Sequence, residues 1–69
     1  MKTHASRLLN APALLEEVFP DQSSRPSVRW IRIMQAKRLI PYYKVGGLVF
    51  FDPDEVREAL AKMRVRTVA

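Results

Sequence analysis

Arg25, Arg29 and Arg32 carry the sharpest chemical signal in this chain of 69 residues. Spacings of four and then three put them on one stripe of a helix, and Ala36 continues the stripe. At the pitch of an α-helix these four positions fall within an arc of roughly 60°. A guanidinium presents five N–H donors in a rigid planar fork and keeps its charge at any ordinary pH. Three of them on one face repel one another unless acids flank them or a polyanion lies opposite. The segment from Arg25 to Lys44 also holds Lys37 and Arg38, and it contains no Asp or Glu. A solvated face laced by i,i+4 ion pairs needs acids on the same helix, so that reading fails here. The chemistry open to the stripe is capture of phosphate oxygens, or bidentate reading of guanine O6 and N7.

Other chemistries find little support. The absence of cysteine removes disulfides and thiolate metal sites. The single histidine, His4, lies near the N-terminus, and one imidazole among scattered carboxylates makes a poor metal site. There is no Ser/His/Asp or Cys/His set and no phosphate-cradling glycine loop. Asp52, Asp54 and Glu55 read as first-turn acids of a helix, where they satisfy N–H groups and the helix dipole. Glu16 and Glu17 read as a solvated face. No enzymatic activity, cofactor or metal is expected.

The stripe needs elements to position it. A first helix is expected from Asn10, a favoured N-cap, with Pro12 in the first turn and Pro20 beyond its end. Ala11, Leu14, Leu15 and Val18 form its apolar face. A second helix is expected from about Ser24, with Ser24 as cap and Pro26 in the first turn, running to about Arg38 before Pro41. Its wide apolar arc takes in Val28, Trp30, Ile31, Ile33 and Met34, and Trp30 is assigned to the core. Two β-prone runs, Tyr42 to Val45 and Leu48 to Phe51, flank Gly46-Gly47 and predict a hairpin with a positive-φ turn. Strand alternation should bury one of Phe50 and Phe51. A third helix follows Asp52-Pro53-Asp54-Glu55, read as cap, first-turn proline and capping-box Glu. Its apolar face is Val56, Ala59, Leu60 and Met63.

Length and charge bound the rest. Sixty-nine residues allow one small domain with a thin core. Twelve Lys and Arg against seven Asp and Glu give a net charge of +5, which favours an acidic partner. No apolar run has the length of a membrane span or a signal peptide, so a cytoplasmic protein that does not engage a membrane is expected.

Three runs carry a family likeness: Ser24-Arg25-Pro26-Ser27-Val28-Arg29-Trp30-Ile31-Arg32, Arg38-Leu39-Ile40-Pro41-Tyr42-Tyr43-Lys44-Val45-Gly46, and Val49-Phe50-Phe51-Asp52-Pro53-Asp54-Glu55-Val56. Together they resemble the excisionase-like, MerR-like winged helix-turn-helix family over about residues 8–62. The chain departs from that pattern in a longer connection between Val18 and Ser24 and in a second helix expected to be about one turn longer. The resemblance implies duplex DNA binding, with the second helix in the major groove and the hairpin on adjacent backbone or minor groove. It also implies work as a phage or integrative-element excisionase, with an integrase as further partner, or as a small transcriptional regulator.

The expected fold is therefore α+β: three helices plus a two-stranded antiparallel wing. Residues 1–7 are expected as a flexible arm, 8–63 as the DNA-binding domain and 64–69 as a basic tail. Ser24, Arg25, Ser27, Arg29 and Arg32 are assigned to the recognition helix, with Arg25 and Arg29 as base readers because the N-terminal part of such a helix sits deepest. Arg32, Lys37, Lys44 and the Gly46-Gly47 tip are assigned to phosphates. Arg64 and Arg66 are left between a backbone contact and a solubilising role. With no coiled-coil segment, a monomer that assembles side by side on DNA is expected. The competing class is a non-enzymatic interaction module whose basic face binds an acidic protein.

Overall fold

Asn10 sets the start of the first helix. In the computed structural model, which describes residues 7–64, its side chain accepts from the Ala13 N–H at 3.0 Å, and α1 runs Ala11–Val18. His4 and Arg66, with most of the expected arm and tail, lie outside the described residues. A short 3₁₀ turn spans Gln22–Ser24, and α2 follows at Val28–Ala36. Strands β1 (Tyr43–Val45) and β2 (Leu48–Phe50) pair antiparallel, and α3 spans Pro53–Lys62. Three helices and a two-stranded sheet make an α+β domain with the layout of a winged helix-turn-helix.

The second helix begins later and ends earlier than its composition suggests. Pro26 disfavours helical φ/ψ at the residue before it, and Arg25 is accordingly extended at φ −76°, ψ 127°. Ser24 therefore cannot cap a helix through Arg25. Ser27 takes the role, with its Oγ accepting from the Trp30 N–H at 3.2 Å. Of the residues expected to open the helix, Ser24 ends the 3₁₀ turn and Arg25 to Ser27 lie in no helix. That turn is capped by Asp21, whose carboxylate accepts from the Ser23 N–H at 3.1 Å and the Ser23 hydroxyl at 2.9 Å. These bonds hold the Asp21 carboxyl below its ordinary pKa.

At its far end α2 closes in a Schellman motif. Leu39 N donates to Met34 O at 3.0 Å and Arg38 N to Gln35 O at 2.9 Å. The residue between these bonds must adopt a left-handed conformation, and Arg38 does so with φ 59°.

The wing follows its sequence closely. Tyr43 pairs with Phe50, Lys44 with Val49 and Val45 with Leu48. Gly46 and Gly47 have φ 56° and 87°, the paired positive values of a type I′ turn. A Cβ at either glycine would meet nothing within 4 Å, so conformation and not space requires glycine there. Leu9 and Phe51 exchange two backbone hydrogen bonds of 2.7 Å, which ties the chain before α1 to the end of the sheet.

The core is small. Ala11, Leu14, Leu15, Ile31, Ile40, Phe51 and Val56 are buried, and Val18, Val28, Met34, Leu60 and Met63 pack around them. Of the two adjacent phenylalanines, Phe51 is 1% exposed and Phe50 half-buried. Trp30 packs on the core and meets Phe19 edge-on, with centroids 6.1 Å apart. Asp52, itself buried, caps α3 by accepting from the Asp54 N–H at 2.9 Å and the Glu55 N–H at 3.5 Å.

Candidate nucleic-acid interface

Helix α2 divides cleanly into an inner and an outer face. Ile31 is fully buried, whereas Arg29, Arg32, Ile33 and Ala36 are exposed at the i, i+3, i+4 and i+7 positions of one stripe. Among the described residues, ion pairs join Arg7 to Glu17, Arg57 to Glu17 and Arg57 to Asp54. Arg29 and Arg32 belong to none of them, so both guanidiniums face water without a carboxylate.

The wing and α2 meet at a groove of about 390 Å³. Arg32 lines it from α2, Asn10, Ala11 and Pro12 from the start of α1, and Gly47, Leu48 and Val49 from the wing. This brings Arg32 of the α2 stripe and Gly47 of the wing tip onto one concave surface. Ser27 is exposed at the start of α2, and its hydroxyl is committed as acceptor to the cap while keeping a donor free. Lys37 is exposed at the C-cap of α2, and Lys44 is exposed on β1 opposite Val49.

Two residues expected on the second helix are not part of α2. Ser24 belongs to the 3₁₀ turn, where its hydroxyl donates to Asp21 O at 3.3 Å. Arg25 turns away from the stripe: its Nε donates to Phe19 O at 2.9 Å and its Nη2 to Pro20 O at 3.1 Å. The last carbonyls of a helix have no intrahelical partner, and a cation beside them also answers the helix dipole. Arg25 thus binds the chain leaving α1 and does not stand on the α2 stripe, where a base reader was expected. Charge-assisted hydrogen bonds of this kind contribute roughly 1.5–3 kcal/mol when sheltered. One of the two is exposed, so Arg25→Ala should cost about 1–2 kcal/mol, and at about 4–8 °C per kcal/mol the loss is read directly as a lower Tm. A melting temperature equal to wild type would return Arg25 to the surface.

The acids are engaged away from α2. Glu17, expected as a solvated residue, accepts from Arg7 at 3.1 Å and from Arg57 at 3.5 Å, and Arg57 also donates to the Glu17 carbonyl at 3.2 Å. The hydrogen bond and charge of Arg7, with a smaller part from Arg57, lower the Glu17 pKa. Arg7, the last residue of the expected arm, thereby makes an ion pair with α1. The Glu55 carboxylate, expected to turn back to its own helix cap, reaches across to the wing and accepts the Tyr43 hydroxyl at 2.9 and 3.0 Å. That bond, with burial and the Glu55 charge, raises the Tyr43 pKa and keeps the phenol protonated. Neither tie is legible in the sequence, since its partners are 40 and 12 positions apart and nothing in their local pattern pairs them.

No family model, curated protein or solved structure matches the chain. Among the described residues no helix is long and apolar enough to cross a membrane, and no cluster of three or more His, Cys, Asp or Glu is placed to hold a metal.

Proposed function

We propose that this protein binds double-stranded DNA sequence-specifically, laying the exposed face of α2 in a major groove with the β1–β2 wing on the flanking backbone. One observation carries the reading: Arg29 and Arg32 stand exposed on a single face of α2, without acid partners among the described residues, and Arg32 shares a groove with the wing tip. Guanidiniums so placed match the acceptor pair on guanine and the phosphates beside it. Arg29 lies nearer the start of the helix and is the base reader; Arg32, Lys37, Lys44 and the Gly46-Gly47 tip hold phosphates. Activity without catalysis, as an excisionase acting with an integrase or as a small transcriptional regulator, follows from the motif likeness of residues 24–56. Such a protein works in the cytoplasm.

Selection of bound sequences from a random duplex library, followed by salt titration on the winner, tests this reading. A recurring motif should emerge, and log affinity should fall linearly with log salt at about −0.9 per phosphate neutralised. Failure to enrich any sequence, together with a flat salt dependence, would favour an acidic protein as the partner of the basic face.

A further inference from the structure

Arg38 occupies a backbone position where an arginine is out of place. It stands at the left-handed residue of the Schellman motif closing α2, with φ 59°. Glycine is the usual residue there because a Cβ in this conformation crowds the following carbonyl. Among the described residues Arg38 is the only non-glycine with positive φ. Strain of this kind persists where the side chain serves a purpose that local stability does not.

The surroundings supply no structural purpose for the guanidinium. Arg38 is exposed and belongs to none of the ion pairs among the described residues. A cation is favourable at a helix C-terminus, but Lys37, at the C-cap itself, already supplies one. Two shallow surfaces meet at Arg38. One runs to α3 and includes Glu55, Glu58 and Lys62; the other runs toward the wing through Ile40, Pro41 and the exposed Tyr42. The second side holds no acid, and it is built from the connection between α2 and β1.

We propose that Arg38 is a phosphate-binding residue, extending the DNA contact from the end of α2 across the connection to the wing. The inference rests on the DNA-binding reading and adds to it a residue outside the expected DNA contacts. The left-handed backbone fixes where the guanidinium leaves the chain.

Glycine and lysine variants separate this role from a structural one. Wild type, Arg38→Gly and Arg38→Lys are compared by fluorescence anisotropy on a mixed-sequence DNA duplex across a salt series, with thermal melting of each protein. Arg38→Gly should bind several-fold more weakly on every duplex, and its salt slope should be shallower by about 0.9, the loss of one phosphate contact. Its Tm should equal or exceed that of wild type, because glycine relieves the left-handed strain. Arg38→Lys should keep most of the affinity and the slope, since a phosphate accepts either cation. Wild-type affinity and slope in Arg38→Gly overturn the inference while leaving DNA binding intact. A fall in Tm that accounts for the lost binding overturns it as well, and places Arg38 with the carboxylates of α3. Absence of duplex binding by the wild type removes this inference and the functional reading together.

Discussion

Arg29→Ala is expected to weaken binding to the selected duplex by about tenfold or more and to relax base preference at one position. Bidentate Arg–guanine contact is worth roughly 1–3 kcal/mol of discrimination. With Arg25 bound to the Phe19 and Pro20 carbonyls, Arg29 is the first cation on α2, two residues past the Ser27 cap. The N-terminal part of a recognition helix sits deepest in the groove, so under the proposed function the base-reading role falls on Arg29. Non-specific affinity should decline much less, since a base contact is made only at the correct site. The Tm should stay near wild type, because the side chain is exposed and no ion pair holds it among the described residues. Equal losses on specific and non-specific duplexes would reduce Arg29 to a phosphate contact. Unchanged binding to both would remove α2 from the interface.

Phe51→Ala is expected to remove a third or more of the protein's stability, about 3–5 kcal/mol. Truncating a buried phenylalanine costs about 3–5 kcal/mol from lost burial and the cavity left behind. A chain of this length has a total stability of roughly 3–10 kcal/mol. Phe51 is 1% exposed, its backbone exchanges two hydrogen bonds with Leu9, and Asp52 beside it caps α3. Phe51 therefore lies at the junction of the wing, the chain entering α1 and the start of α3, and the described residues hold no second core to take up the loss. Phe50→Ala, at a half-buried position, should cost visibly less. Urea denaturation followed by far-UV circular dichroism measures both. A Phe51→Ala protein within about 1 kcal/mol of wild type would mean that the core collapses around the gap and that Phe51 is not its hub.

The elements that the chain announces locally are those whose hydrogen bonds close within a few residues. Asn10 and Asp52 cap the helices they precede, Gly46-Gly47 makes the positive-φ turn, and alternation across the strand end buries Phe51 and leaves Phe50 half out. Each depends on side-chain chemistry or pleat period at short range, which a single sequence carries in full. The start of α2 is also a local matter, but Ser24 and Ser27 are both eligible caps. The constraint that Pro26 places on Arg25 decides for Ser27, and this moves the helix by more than half a turn and takes Arg25 off the stripe.

What only the tertiary structure decides is which charges remain available. Twelve cations are legible as a composition, yet their fates differ. Arg25 is consumed by carbonyls five and six residues back, and Arg57 by Glu17 across 40 positions. Arg29 and Arg32 stay exposed because the buried side of α2 is set by Ile31 against α1. Arg38 is held in a strained backbone that its residue type gives no reason to expect. A guanidinium reaches far enough to find partners from any element that folding brings near. Its availability is thus a property of the packed surface, whereas the stripe itself is a property of helical spacing and could be read from the chain alone.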